Sequence, residues 1–336
     1  MQKTNRLALA VLALLGSTAA FAQSSVTLYG RVNTTVERQE DGNVKTTGLF
    51  NNASRFGFKG VEDLGGGLKA GFQLESGFNS DTGAGTGTGN GINFARQSEV
   101  NLSGNFGMVR LGRWTAESYY ATADYVSLHN HDTGSSSDAF YQYLMNDSNK
   151  VGYRTPEFGG FWAEGAVSLH ENQNTSVDGL SRKNAYDLAA NYNVGALALG
   201  AGYTKRGEAQ QAALRALYTL GPWTFGGYYQ HAKLDRFNNV NVDAKFNNVR
   251  LAAAYTLGAS EFHVNVGRAF KIKAPGGDLA GTAATQYTLG YNYNLSKRTK
   301  VYGYYTKVNN GNNINYFTSA AGNDFSSVAV GIRHNF

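Results

Sequence analysis

The sequence contains no cysteine, which excludes a disulfide scaffold, cysteine-ligated zinc and thiol chemistry. Proline is nearly absent, with 3 residues in 336, and charged side chains make up only 16% against about 25% in an ordinary globular domain. After the first fifteen residues no apolar run approaches the roughly 18 residues that a membrane-crossing helix needs. Glycine (42) and the aromatics (21 Tyr, 19 Phe, 3 Trp) are what the chain has in abundance. That aromatic load excludes a disordered chain, which lacks the apolar surface to offset the entropy of ordering. The formal charge is +6, but the bases are spread along the whole chain with no basic helix or stripe, so no nucleic-acid partner is expected.

The first 22 residues stand apart. Lys3 and Arg6 precede an unbroken apolar run from Leu7 to Leu15, and the small-residue stretch after it ends in Ala20-Phe21-Ala22. Basic start, apolar run and A-x-A exit in this order predict a secretory signal cleaved before Gln23, with residues 23–336 as one mature domain. Cleavage removes two bases and no acid.

From Val26 onward the pattern has period two, in segments of about ten residues, which predicts strands. Tyr186, Leu188, Ala190 and Tyr192 alternate with Asp187, Ala189 and Asn191; Val249, Leu251, Ala253 and Tyr255 alternate with Asn248, Arg250, Ala252 and Ala254. Seven tight turns, such as Asp63 to Gly67 and Asn193-Val194-Gly195, alternate with eight polar loops near 38–51, 79–93, 115–147, 171–183, 205–210, 232–244, 268–284 and 308–323. Fifteen connections imply sixteen strands, and an even count leaves both termini on the short-turn side, as in an outer-membrane β-barrel with its termini in the periplasm. A soluble β-sandwich would carry richly charged polar faces. Here the polar faces hold Gly, Ala, Asn and Thr, and aromatics such as Trp223, Tyr229, Tyr255 and Phe262 cluster near strand ends, as lipid-facing girdles do. The expected fold is an all-β, sixteen-stranded transmembrane antiparallel barrel in contact with outer-membrane lipid.

Parity assigns the faces. Phe56 and Phe58 share one parity and Arg55 and Lys59 the other, so both bases point into the lumen. On the third strand Leu68, Ala70, Phe72 and Leu74 face lipid, while Lys69, Gln73 and Glu75 face the pore; on the sixth, Val151 and Tyr153 point out and Lys150 and Arg154 in. An arginine on the lipid face near the bilayer midplane would cost about 2–4 kcal/mol.

The segments Ser54 to Glu75, Arg96 to Arg113 and Tyr153 to Phe161, the first strand Val26-Thr27-Leu28-Tyr29-Gly30, and the ending Val330 to Phe336 resemble the Gram-negative general porins of the beta-proteobacterial type. The resemblance implies a homotrimer of sixteen-stranded barrels, each with a water-filled pore narrowed by an inward-folded third loop. It implies that Arg96, on the fourth strand, also faces the lumen, and that Arg55, Arg96 and Arg154 form a basic constriction wall with Lys59 and Lys150 nearby. The third loop, 115–147, would then set Asp124 and Asp132 against that wall, alongside Glu75. Phe336, following Val328, Val330 and Ile332, resembles the signal read by the outer-membrane assembly machinery. Gly30, Val32 and Thr34, small outward residues on the first strand, suit a protomer contact. Glu99 departs from the pattern: an inward Arg96 puts it outward unless a bulge reverses the parity, and its environment stays open.

Other chemistry finds little support. His129, His131 and Asp132 lack a third separated ligand and read as polar loop residues, with no metal or cofactor called for. Gly83 to Gly91 has no Gly-Lys-Ser/Thr and no following helix, so it reads as an outer loop. None of the six His sits in a G-x-S-x-G or similar context, which argues against an enzyme built on a barrel. Ala198, Gly200, Gly202, Gly226 and Gly290 predict an open lumen rather than a filled one. The expected function is a diffusion pore for small hydrophilic solutes and inorganic ions, weakly anion-selective because five inward bases outnumber three acids. The alternatives are a barrel specific for one anionic metabolite and an adhesion barrel acting through its outer loops.

Overall fold

The computed structural model describes residues 25–124, 126, 134–171, 183–235 and 243–336. The expected signal segment and the loop residues His129, His131 and Asp132 lie outside these. Sixteen strands form one antiparallel sheet: β1 (Ser25–Asp41), β2 (Val44–Asn51 and Arg55–Gly65), β3 (Leu68–Gly77), β4 (Gln97–Gly104), β5 (Gly107–Arg113), β6 (Lys150–Arg154), β7 (Phe161–Ser168), β8 (Ala185–Val194), β9 (Leu197–Arg206), β10 (Ala209–Leu220), β11 (Trp223–Leu234), β12 (Ala244–Leu257), β13 (Ser260–Ala269), β14 (Ala284–Asn294), β15 (Thr299–Asn310) and β16 (Phe325–Asn335). A two-residue hairpin, Lys273–Ala274 with Gly277–Asp278, decorates the β13–β14 connection.

β16 pairs with β1 from Arg31↔Asn335 to Asp41↔Phe325, so the sheet closes on itself and leaves no edge. Closure satisfies the ladder hydrogen bonds within the protein, a requirement in lipid, where an unpaired backbone group costs several kcal/mol. At the seam the Gly30 N–H donates to the Phe336 carbonyl at 3.0 Å and the Phe336 N–H to that of Gly30 at 3.1 Å. A Cβ on Gly30 would run into the Phe336 ring, so glycine is what lets the terminal side chain lie across the seam.

Along the strands exposed and buried residues alternate as the period predicts. Leu188 and Leu214 are exposed outward, whereas Asp187, Thr204, Gln230 and Gln286 are buried on the inner side. Two connections differ from expectation. β1 and β2 run on to Asp41 and from Val44, and β9 and β10 to Arg206 and from Ala209, so the stretches 38–51 and 205–210 are mostly strand, closed by tight turns. Their polar residues are the ends of long strands rising above the lipid band, where alternation no longer separates greasy from wet.

β2 is interrupted at 52–54, where Ala53 adopts φ 56°. The register on β1 slips by one residue across the gap, from Thr34↔Asn51 to Arg31↔Arg55. This bulge reverses the inward parity of β2. Asn33 on β1 holds it, donating through Nδ2 to the Asn52 carbonyl at 2.9 Å while its own N–H bonds to Ser54 Oγ at 3.0 Å.

Candidate functional site

The connection between β5 and β6 folds into the barrel. Its helix, α1 (Glu117–Thr122), packs on the inner faces of β8, β9 and β10. The seat is made by glycine: a Cβ on Gly200 would overlap the carbonyl oxygen of Ala121, and one on Gly202 would lie 2.7 Å from that of Ser118. These glycines therefore do not hold the lumen open, as their parity alone suggests, but accept the loop against the wall. Gly226 is likewise occupied, facing the side chain of Leu217.

Polar side chains on successive strands tie the loop down. The Ser118 N–H bonds to Asp187 on β8 at 3.1 Å, and Ser118 Oγ lies 3.0 Å from Thr204 Oγ1 on β9. At the far side of the lumen Ser135 Oγ donates to Glu37 on β1 at 2.8 Å. The return limb then follows the wall. Gln286 on β14 accepts from the Ala139 N–H (3.1 Å) and donates to the Ser137 carbonyl (2.8 Å); Gln230 on β11 treats Gln142 in the same two-way fashion. Arg250 on β12, wholly buried, meets Asp138 at 2.9 Å. Such two-way pairings leave the loop's backbone groups satisfied at a depth where water is largely displaced.

Around this loop lie the charged residues. Arg55, turned inward by the bulge in β2, has its Nε 3.7 Å from Glu75 Oε1 on β3. Arg96 reaches the same oxygen at 2.7 Å, so two guanidiniums share one carboxylate. Lys59 sits inward and exposed, 5.3 Å from the Tyr29 ring centroid. On the neighbouring arc Arg154 of β6 contacts Glu164 on β7 at 2.8 Å and Glu117 on α1 at 2.7 Å. Lys150 also points inward, yet the loop seals it: its Nζ donates to the Trp114 carbonyl at 2.8 Å and lies 3.7 Å from Asp147. Asp124, in the turn after α1, is buried.

Glu99 faces inward. It pairs in register with Gln73, and its carboxylate meets Arg110 on β5 at 3.3 Å, while Arg110 also bonds to Glu164. The parity conflict with Arg96 resolves because β4 begins at Gln97. Arg96 precedes the ladder, and its side chain turns in independently of strand alternation.

Arg110, Arg215 and Arg250 on inner faces, and Arg31 and Arg206 beside them, were not singled out from the sequence, although Arg250 stands in the polar parity of its strand. The signal was present in the alternation; what it lacked was any local motif to draw attention. Arg31, on the strand beside Arg55, donates to the Ala53 carbonyl and so braces the bulge.

Loop carboxylates feel this environment. Burial pushes Glu117 up to about 7, with Arg154 and Arg110 pulling it down and Glu164 and Asp187 pushing it up. Tyr120 is raised to about 12, first by burial and also by Asp124, against a hydrogen bond from Thr115 and the positive charges of Arg96 and Arg55.

A closed barrel with an apolar outer band, a charged interior and an inward-folded loop defines a transmembrane channel of the β-barrel class. Comparison with known proteins agrees. The sequence model of the Gram-negative porin family matches residues 8–313. The outer membrane porin protein 32 of Delftia acidovorans is 35% identical, across 99% of this chain and 100% of that protein. An outer membrane porin protein of Bordetella pertussis is 29% identical over 95% of this chain and 96% of its own. Among solved structures, an anion-selective porin from Comamonas acidovorans superposes with a TM-score of 0.74 at 30% identity, covering 94% of this chain and 100% of that one. The chain belongs to the Gram-negative porins. It is an outer-membrane diffusion channel.

Proposed function

We propose that this porin passes small hydrophilic solutes and ions with a weak preference for anions, and that the preference is set where the β5–β6 loop faces Arg55 and Arg96, with Lys59 on the same arc and Arg154 on the next. The observation that carries the reading is the sharing of one carboxylate, Glu75, by Arg55 and Arg96, which leaves a surplus of positive charge on β2–β4. Around Arg110 and Arg154 stand Glu99, Glu164 and Glu117, three acids to two bases, with Glu117 pushed up to about 7, so that arc adds no positive surplus. Lys150 acts from beneath the loop, Asp124 opposes the wall from the turn after α1, and Asp132 belongs to the same loop. The family relative described as anion-selective agrees in direction. Ions passing at a few Å lie inside the ~8 Å Debye length of physiological salt, and low-dielectric walls focus the field.

The test is the reversal potential of the purified protein in planar bilayers under a KCl gradient. The expected wild-type potential has the anion sign and shrinks as total salt rises. Arg55→Glu and Arg96→Glu move it furthest toward cations and Arg154→Glu moves it less. A cation-selective wild type, or three variants with unmoved potentials, overturns the assignment.

The protein works as a homotrimer in this reading. Among the described strand residues, outward-facing Tyr and Trp occur on β6, β8 to β12, β14 and β15, including Tyr153, Tyr192, Trp223 and Tyr305, whereas β16 and β1 to β5 present none. Tyr and Trp mark lipid interfaces, so an arc without them suits a protein partner. Gly30, Val32 and Thr34 lie within it, on β1.

A further inference from the structure

One buried carboxylate lies where the inward loop meets the strand that carries Arg55. Glu37 points inward from β1 and is 1% exposed. Its Oε1 accepts from Thr35 Oγ1 at 2.6 Å and from the Tyr304 hydroxyl at 2.8 Å. Its Oε2 accepts from Gln39 Nε2 at 2.8 Å, Ser135 Oγ at 2.8 Å and Ser327 Oγ at 3.0 Å. All of these donors are neutral. A carboxylate taken out of water on such terms gains less than an apolar side chain of the same size would, so stability alone does not account for it. What the charge supplies is direction. An acceptor without a proton makes every hydroxyl around it turn its O–H inward and its lone pairs away.

Two of those orientations reach the pore. The first runs through Thr35, whose single proton has a competing acceptor in the Phe50 carbonyl at 3.3 Å. The shorter, charge-assisted bond to Glu37 decides the choice and leaves Thr35 Oγ1 to accept from Asn52 Nδ2 at 2.5 Å. Asn52 opens the bulge in β2 and is wholly buried, with its N–H on the Asn33 carbonyl at 2.8 Å and its own carbonyl on Asn33 Nδ2 at 2.9 Å. Three residues on, Arg55 faces inward because of this bulge. The second runs through Ser135 in the loop. Beside it Gly134 packs on the same asparagine so closely that a Cβ there would overlap Asn52 Oδ1. Glu37 therefore touches the loop directly and, through one hydroxyl, the bulge that aims Arg55.

We propose that Glu37 is a positioning residue for ion selection: through Thr35 and Asn52 it holds the bulge that turns Arg55 into the lumen, and through Ser135 it holds the loop against that bulge. The proposal rests on the assignment of anion preference to Arg55 above. Glu37 meets no passing ion itself; it fixes the spacing between the loop and the basic wall.

The experiment uses the full-length protein in planar bilayers under a KCl gradient, with folding checked by heat-modifiable migration. Thr35→Val keeps the shape and every charge but removes the hydroxyl. If charge alone sets the reversal potential, this variant keeps the wild-type value; the relay requires the potential to fall toward zero, and requires Thr35→Ser, which keeps the hydroxyl, to retain it. Glu37→Gln separates the two accounts by sign. Loss of an inward acid would by itself raise anion preference, whereas the relay predicts a fall, because an amide nitrogen facing Thr35 or Ser135 leaves that hydroxyl without its acceptor. With Arg55 already replaced by Gln, Thr35→Val should have no further effect. An unmoved potential in Thr35→Val, a Glu37→Gln channel more anion-selective than the wild type, or a Thr35→Val shift that persists at full size in Arg55→Gln each overturns the proposal. If Arg55→Gln alone leaves the wild-type potential unmoved, the error lies in assigning the preference to Arg55, and this proposal falls with it.

Discussion

Glu117 shows how one carboxylate can couple pore charge to pH. It lies on α1 beside Arg154 and is held near neutrality by burial. Because its pKa is raised, it is ionised above about 7 and protonated below. Acidification through that range removes one negative charge from the Arg154 cluster while ordinary carboxylates, which titrate near 4, stay ionised. Anion preference should therefore rise as pH falls from 8 to 6. Measured by reversal potential, the Glu117→Gln variant should show the acidic wild-type value throughout and lose the dependence in this window. A slope that survives in Glu117→Gln would assign it to another group.

At the level of elements, the inward loop depends on a wall that yields to it. Gly200 and Gly202 leave room for the backbone of α1, and Asp187, Gln230, Gln286 and Glu37 supply partners around the circumference. A side chain at Gly200 meets a backbone carbonyl rather than a flexible tip, so the neighbour cannot simply rotate away. Gly200→Val should push α1 off the wall toward the pore axis and reduce single-channel conductance. The barrel itself should persist, since the β8–β9–β10 ladders do not pass through that contact. Unchanged conductance would mean that the loop is held by its other partners alone. The Arg250–Asp138 salt bridge between wall and loop is buried. Removing one partner of such a pair costs about 3–5 kcal/mol, more than an exposed pair contributes, and this argues that the loop is anchored rather than a mobile flap.

On the scale of the whole molecule the outer surface divides into two arcs. Outward-facing Tyr and Trp occur on β6, β8 to β12, β14 and β15 and, among the described residues, on none of β16 and β1 to β5, and the β3–β4 connection leans over the second arc, where Ser80 Oγ lies 2.6 Å from Thr34 Oγ1. Chemical cross-linking of the protein extracted in mild detergent should stop at three copies, and cysteines introduced at Val32 should cross-link between protomers while those at Leu188 should not. Monomer as the end point, or cross-links confined to Leu188, would contradict the assignment of arcs.

Period-two alternation, the fifteen connections that imply an even number of strands, and the order of turns and loops were legible along the chain and dictate a sixteen-stranded barrel, because side-chain direction in a strand is a property of the backbone and needs no partner. Arg55, Lys59, Glu75, Lys150 and Arg154 could be assigned an inward face on the same basis. What only the tertiary structure decided is where that local rule stops or is overlaid. The bulge at 52–54 reverses β2, Arg96 falls one residue outside β4 so that Glu99 can face Arg110, and the tight turns at 42–43 and 207–208 convert two expected loops into strand. Lys150 is sealed and Gly200 is occupied because a loop distant in sequence lies on them. Which arginine meets which carboxylate depends on register between strands and on the path of that loop, and both are settled by packing across the barrel rather than by the residues on either side.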